Sequence, residues 1–179
     1  TFILCSLSKI LKEDIMKIYI SSSWKNRDTV RELAIKLREL GHRVYDFTDP
    51  NCRKSPEIPP EKYPEQFDPS IHKYSEYINI PELKQAVMDN KRAINWANFI
   101  ILLLPCGSDS HADWALGVGL GKRSVVVGQP LKGERSPVHH WADRIFDYVD
   151  DFIKWFIAET RCIGLSTGGE DCESSLAVK

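Results

Sequence analysis

The chain has no Cys-x-x-Cys pair, no long apolar run, no block of like charge and no internal repeat, and each absence removes a class of function. Its five cysteines (Cys5, Cys52, Cys106, Cys162 and Cys172) are odd in number and widely spaced. That pattern suits neither a disulfide framework nor a zinc site, and a reducing, cytoplasmic setting is the simpler reading. The pair His139–His140 lacks companion ligands at a useful spacing, so neither a metal nor another cofactor is expected. No stretch reaches the ~20 apolar residues that span a bilayer, and no membrane partner is expected. The 24 basic and 25 acidic residues are spread along the chain, for a formal net charge of −1. Without a basic block, binding to nucleic acid through its phosphates has no support.

What is present is globular material: 42% hydrophobic and 27% charged residues in a chain of 179, long enough to bury a core as one domain. Residues 1–15 hold only a short apolar patch, Phe2 to Cys5, with neither the apolar core nor the cleavage site of a signal peptide. Met16 directly precedes the first convincing strand. The folded domain is therefore expected over 16–160, after an extension at 1–15 of the kind a tag or upstream addition leaves, an ordinary N-terminal helix being the other reading. A flexible tail is expected over 161–179, where Gly, Ser, Thr and Glu dominate.

Lys17–Ser21 is a β-rich run that ends in the turn-forming cluster Ser21-Ser22-Ser23. Beyond a cap at Asn26 or Asp28, Val30, Leu33, Ala34, Leu37 and Leu40 recur at helical spacing. Gly41 stops that helix, and residues 43–46 read as a second strand. Strand, helix, glycine and strand within roughly 30 residues form a βαβ unit, which implies parallel strands. Residues 47–80 then carry six of the ten prolines along with Tyr63, Phe67, Tyr74 and Tyr77, which favours a lid or pocket wall over a free linker. Pro81 opens a helix with Leu83, Ala86, Val87, Ile94 and Ala97 on one face, and residues 99–104 form an apolar run typical of a strand buried on both sides. A small-residue helix from His111 to Leu120 closes at Gly121, and residues 124–127 and 144–146 supply two further strands. Val149, Phe152, Ile153 and Phe156 mark a last amphipathic helix, whose Trp155 and Phe156 belong either to the core or to a contact with a second copy.

In an open parallel sheet, ligands bind at the carboxyl ends of the strands, near the point where strand order reverses. Three segments qualify: residues 21–24, 46–49 and 105–113. They make Ser21, Ser22, Ser23, Trp24, Asp46, Gly107, Ser108, Ser110 and His111 the candidate substrate-binding residues. Gly107, Ser108 and Ser110 precede a helix, where free N–H groups attract an anion, although serine and glycine there are also plain capping residues. Asp113 has two readings. Ser110-x-x-Asp113 resembles a capping box that satisfies the helix's own amides. Alternatively, Asp113 is a carboxylate at the mouth of a pocket, suited to attack an electrophilic carbon. His111 is either a proton carrier or a polar residue at a helix start.

Three segments carry a family resemblance: Met16-Lys-Ile-Tyr-Ile-Ser-Ser-Ser-Trp-Lys25, Gly41-His-Arg-Val-Tyr-Asp-Phe47, and Leu104-Pro-Cys-Gly-Ser-Asp-Ser-His-Ala-Asp113 with its continuation to Lys122. They resemble the nucleoside 2-deoxyribosyltransferase-like superfamily, in particular a bacterial branch of small proteins distantly related to TIR domains. The resemblance spans Met16 to Phe156. It implies a Rossmann-like or flavodoxin-like α/β fold, a three-layer sandwich around a mostly parallel sheet of about five strands. It also implies cleavage of the N-glycosidic bond of a nucleoside or nucleotide by a carboxylate nucleophile, which falls on Asp113. The serines at 21–23 and the segment 107–110 match the loops that hold sugar or phosphate, and Gly117 and Gly119 would let their helix lie close on the sheet.

Two positions depart from the family pattern. Asn98 stands where relatives commonly carry Asp, and the family's acid is normally Glu. Asp is a methylene shorter, and attack geometry is sensitive to displacements of about 1 Å. Two classes of function therefore stay open. One is an enzyme that hydrolyses or exchanges an N-glycosidic bond through a retained glycosyl intermediate. The other is a nucleotide-binding or TIR-like signalling module that kept the fold and lost the chemistry. The expected partner is a nucleoside, nucleotide or NAD-like small molecule. Relatives often complete their sites with a neighbouring subunit, which leaves room for a homo-oligomer. Lengthening Asp113 to Glu is expected to keep or raise activity.

Overall fold

Five short strands, β1 (Lys17–Ser21), β2 (Arg43–Tyr45), β3 (Phe99–Leu103), β4 (Arg123–Val127) and β5 (Arg144–Phe146), pair in the order β2-β1-β3-β4-β5. Every pairing is parallel. The computed structural model describes residues 15–55, 70 and 72–166, with the backbone alone for Tyr77 and 161–166. Residues 1–14, the proline-rich stretch 56–69 with Tyr63 and Phe67, residue 71 and residues 167–179 lie outside the described residues, and with them the middle of the expected lid and most of the expected extension and tail.

Parallel strands need helical crossovers, which cover both faces of the sheet. Four helices do so: α1 (Arg27–Glu39), α2 (Pro81–Trp96), α3 (Ser108–Gly119) and α4 (Val149–Ser166). A single helical turn at Tyr74–Tyr77 precedes α2. Alternate strand residues point to opposite sides, so the apolar strands feed two cores. Ile18, Ile20, Ile101 and Val125 pack against α1 and against Phe152 and Phe156 of α4. Tyr19, Tyr45, Ile100 and Val126 pack against Ala93 and Ile94 of α2 and Trp114 of α3. The result is the expected three-layer α/β sandwich with the sheet in the middle. The unbroken apolar run in β3 has its reason here, since all five of its residues are buried beneath one helical layer or the other.

Several boundaries differ from the sequence expectation. The helix expected from His111 begins three residues earlier, at Ser108, and the last helix runs to Ser166, into the region read as tail. The buried stripe of α2 is also rotated: Val87 is 58% exposed, whereas Asp89, Ala93 and Ile94 face inward. Trp155 and Phe156 belong to the core, with Phe156 fully buried and the Trp155 ring 5.2 Å from that of Phe146.

The two glycines expected to bring α3 onto the sheet behave differently. A Cβ on Gly117 would fall 2.8 Å from Cγ1 and 2.9 Å from Cδ1 of Ile100, a fully buried residue of the central strand that has little room to retreat. A Cβ on Gly119 would meet nothing within 4 Å. Only Gly117 is required for the close approach. Overpacking costs about 1–3 kcal/mol, and the helix propensity of Ala returns up to about 1 kcal/mol. Gly117→Ala is therefore expected to lower the unfolding free energy by about 1 kcal/mol or more, while Gly119→Ala leaves it unchanged or slightly raised, as read from urea midpoints at constant slope.

Candidate active site

The chain leaves β1 toward β2 on one side and continues from β3 toward β4 on the other, so strand order reverses between β1 and β3. The carboxyl ends of those two strands frame the crevice where such sheets bind ligands. Side chains stitch the crevice floor together. Ser21 Oγ donates to the Ser110 carbonyl at 2.9 Å, and Ser22 Oγ donates to that of Leu103 at 2.7 Å. Asn26 does not cap α1 with its side chain; its amide donates to Ser22 Oγ and to the Leu104 carbonyl, each at 3.2 Å. The hydroxyl protons of Ser21 and Ser22 are thus engaged by main-chain carbonyls, not offered to a ligand. Ser23 Oγ accepts from the Lys25 amide and starts a 3-10 turn at Trp24–Asn26.

The other candidates fall into place around this floor. Trp24 is half exposed, edge-on to Phe47 at 5.3 Å, with the Arg53 guanidinium over its ring. Asp46 is buried, and its Oδ1 accepts from the amide and hydroxyl of Thr48 at 2.8 and 2.7 Å, a local turn that occupies this carboxylate after β2. Gly107 is the N-cap of α3 and supplies no side-chain cap; Ser108 opens the helix in an exposed position. Ser110 is buried in its first turn.

Because α3 starts at Ser108, Asp113 lies in its second turn, beyond reach of a capping box. The carboxyl group turns inward instead. Its Oδ2 accepts from the Tyr19 hydroxyl of β1 at 2.8 Å and from the Asn90 amide of α2 at 2.9 Å. The Tyr45 hydroxyl donates to Asn90 Oδ1 at 3.4 Å, and the Tyr19 and Tyr45 rings stack at 5.5 Å. Both bonds to the acid fall on one oxygen. Oδ1 has no hydrogen-bond partner among the described residues. Tyr19, Asn90 and Tyr45 were not among the residues singled out from the sequence, yet the signal was there. Asn90 interrupts the apolar stripe of α2, three residues after Val87 and four before Ile94. Tyr19 places a polar tip between Ile18 and Ile20, at the middle of β1.

The second-turn histidine is also engaged. His111 Nδ1 lies 2.9 Å from the Gly107 carbonyl, which can only accept, so that nitrogen carries its hydrogen. His111 Nε2 is 3.0 Å from His139 Nε2, with ring centroids 5.2 Å apart and planes within 8°. Those values place the rings end to end around one shared proton. A metal on that line would need about 4 Å between the nitrogens. Burial, then the His111 ring, holds the His139 pKa below its ordinary value. His139, read from the sequence as loop surface, is half-buried and clasps the start of α3 to the 3-10 turn Pro137–Trp141. Cys106, whose Sγ lies 3.6 Å from His111 Nδ1, has a thiol pushed up to about 11 by burial. Among the described residues, no group of three or more His, Cys, Asp and Glu side chains could hold a metal ion, and no helix is long and apolar enough to cross a membrane.

Burial pushes the Asp113 carboxyl above its ordinary value, opposed by the hydrogen bonds from Tyr19 and Asn90 and reinforced by Asp109. Burial, followed by the Asp113 charge, drives the Tyr19 hydroxyl well above the usual phenol range, which keeps it a donor. A carboxyl whose folded pKa lies above its unfolded one holds its proton more tightly when folded. Its contribution to stability is full below the unfolded value and is lost as pH rises through the folded one. Asp113→Asn is expected to abolish that loss, so its stability relative to the wild type climbs across this window in urea unfolding at stepped pH. Tyr19→Phe removes a bond to the ionised form and is expected to move the Asp113 titration, followed by carboxyl-carbon NMR, further upward.

No protein-family model matches the chain, and no curated protein is similar to it in sequence. Among solved structures, it resembles a 2-deoxyribosyltransferase from the psychrotolerant bacterium Bacillus psychrosaccharolyticus, a protein described as a biocatalyst for nucleoside synthesis. The likeness has a TM-score of 0.51 at 15% identity and covers 80% of this chain and 94% of that one. It bears on the deoxyribosyltransferase side of the sequence resemblance and not on the TIR-like side. At this identity, the likeness establishes a shared fold: a parallel five-stranded sheet between helical layers, of the kind found in that deoxyribosyltransferase.

Proposed function

We propose that this chain cleaves the N-glycosidic bond of a nucleoside or nucleotide, with Asp113 as the nucleophile. The observation that carries the reading is the division of labour between the two oxygens of that carboxylate. Oδ2 is fixed by Tyr19 and Asn90, while Oδ1 has no partner among the described residues. A carboxylate held by one oxygen presents the other in a defined direction, and orientation of this kind contributes much of a glycosidase's rate. Oδ1 would form a bond to C1′ as the C1′–N bond breaks, and the departing base would take the electron pair and a proton from solvent water. Water, or the nitrogen of a second base, would then displace the carboxylate and retain the configuration at C1′. Tyr19 and Asn90 act through Asp113, as positioning residues. The fold shared with a deoxyribosyltransferase supports the same class of chemistry.

Attack requires the ionised acid, so base release per unit substrate concentration is expected to rise with pH through the Asp113 pKa and then level off. Tyr19→Phe is expected to shift that limb upward. Chromatography of a panel of deoxynucleosides, nucleoside monophosphates and NAD tests the reading. Asp113→Ala is expected to abolish base release, and release that survives it refutes the assignment. Saturable nucleotide binding without release from any substrate replaces the enzyme with a binding module. On this reading the expectation for Asp113→Glu changes sign from the one drawn from the resemblance. Both donors already meet the acid at the length of Asp, so Asp113→Glu overruns them by a methylene and is expected to lower turnover on the order of 100-fold.

A further inference from the structure

A concavity of about 590 Å³ lies along the outer edge of β2, between that strand, α2 and the chain just after β2. Its size falls in the range of small-molecule sites. Tyr45 and Trp96 provide aromatic wall, and four cations reach it from four different segments: Arg38 of α1, Arg43 of β2, Lys54 after β2 and Arg92 of α2. Such convergence is not the alternation of charge that keeps a surface soluble.

Among the described residues, the acids nearby are already committed. Asp89, which is 4% exposed, accepts from the amides of Lys54 and Ser55 at 2.8 and 2.7 Å and from Gln85 at 3.0 Å, and it pairs with Arg92 at 3.2 Å. Burial raises its pKa, but the Ser55 and Lys54 amides outweigh this and hold the group ionised. Asp49 pairs with Arg38 at 3.5 Å. Arg43 lies over the Trp96 ring at 5.4 Å, and neither it nor Lys54 meets a carboxylate among the described residues. Among the described residues the groove therefore carries more positive than negative charge against low-dielectric walls, an arrangement that concentrates anions.

We propose that this groove binds a small diphosphate-bearing anion, with Arg43 and Lys54 as its principal contacts and Arg92 and Arg38 at its margins. Forked guanidinium groups and a lysine ammonium match clustered phosphate oxygens. The site stands apart from Asp113, which does not line the groove, and so goes beyond the glycosidic reading.

Calorimetric titration of the full chain with inorganic pyrophosphate, ADP and adenosine in metal-free buffer tests the proposal. Pyrophosphate and ADP are expected to bind at one site per chain with an affinity that falls with salt, and adenosine is expected not to bind there. Arg43→Gln and Lys54→Gln, both at exposed positions, are each expected to weaken pyrophosphate about tenfold, the loss of one charged hydrogen bond. Asp113→Asn is expected to leave this affinity unchanged, so the result does not depend on the glycosidase assignment. The proposal is overturned by an absence of pyrophosphate binding at millimolar concentration, or by a doubly substituted chain that keeps its circular dichroism and binds as well as the wild type. Adenosine binding as tightly as ADP, and lost in that double variant, overturns the choice of diphosphate.

Discussion

A carboxylate turned from a helix onto the face of an apolar sheet is tolerable only if donors meet it there. Asp113 has two, and they come from different elements: a tyrosine in the first strand and an asparagine in the second helix. Their placement sets demands on the rest of the fold. Tyr19 must point to the α2 and α3 side, which fixes the register of β1 against β3 because a slip of one residue would send the ring to the other layer. α3 must lie close enough for its second turn to reach Tyr19, and Gly117, one turn further on, permits that approach over Ile100. The same bonds that offset burial of the charge also select which oxygen remains unpaired among the described residues.

The architecture was largely legible in the sequence because parallel α/β folds repeat simple signals. β1 ends at Ser21 where the serine cluster begins, and α1 ends before Gly41, whose φ of +91° suits glycine. The apolar run at Phe99 needed no partner information to read as a doubly covered strand. The start of α3 was misjudged because Ser, Asp and Ser look like residues before a helix, whereas here Gly107 caps it and they form its first turn. In α2, apolar spacing favoured Val87, but two polar residues, Asp89 and Asn90, had tertiary partners strong enough to turn the helix toward themselves.

The candidate site was legible only in its most conspicuous member. Position 113 could be singled out, but its alternatives could not be separated, because a capping acid and an inward acid look the same in one dimension. The serines illustrate the reverse difficulty. Hydroxyls at the end of β1 suggest ligand contact, yet Ser21 and Ser22 donate to main-chain carbonyls and so tie β1 to α3 and β3. His111 likewise anchors its helix to the β4–β5 connection through His139, twenty-eight residues away in sequence. No local pattern announces a partner at that distance.

One helix joins the two regions of chemical interest. Asp89 and Asn90 are consecutive on α2, yet they face different neighbours: Asp89 fixes the amides of Lys54 and Ser55, and Asn90 holds Asp113. Tyr45 connects them, since it lines the cationic groove while its hydroxyl donates to Asn90. The orientation of the Asn90 amide is thereby set from both ends, by a tyrosine on the groove side and a carboxylate on the crevice side. A small rotation of α2 cannot improve one set of bonds without lengthening the other, because the two residues are adjacent on the same rigid turn. The position of the Asp113 carboxylate is therefore tied to the chain that follows β2, through three elements and without a covalent link between them.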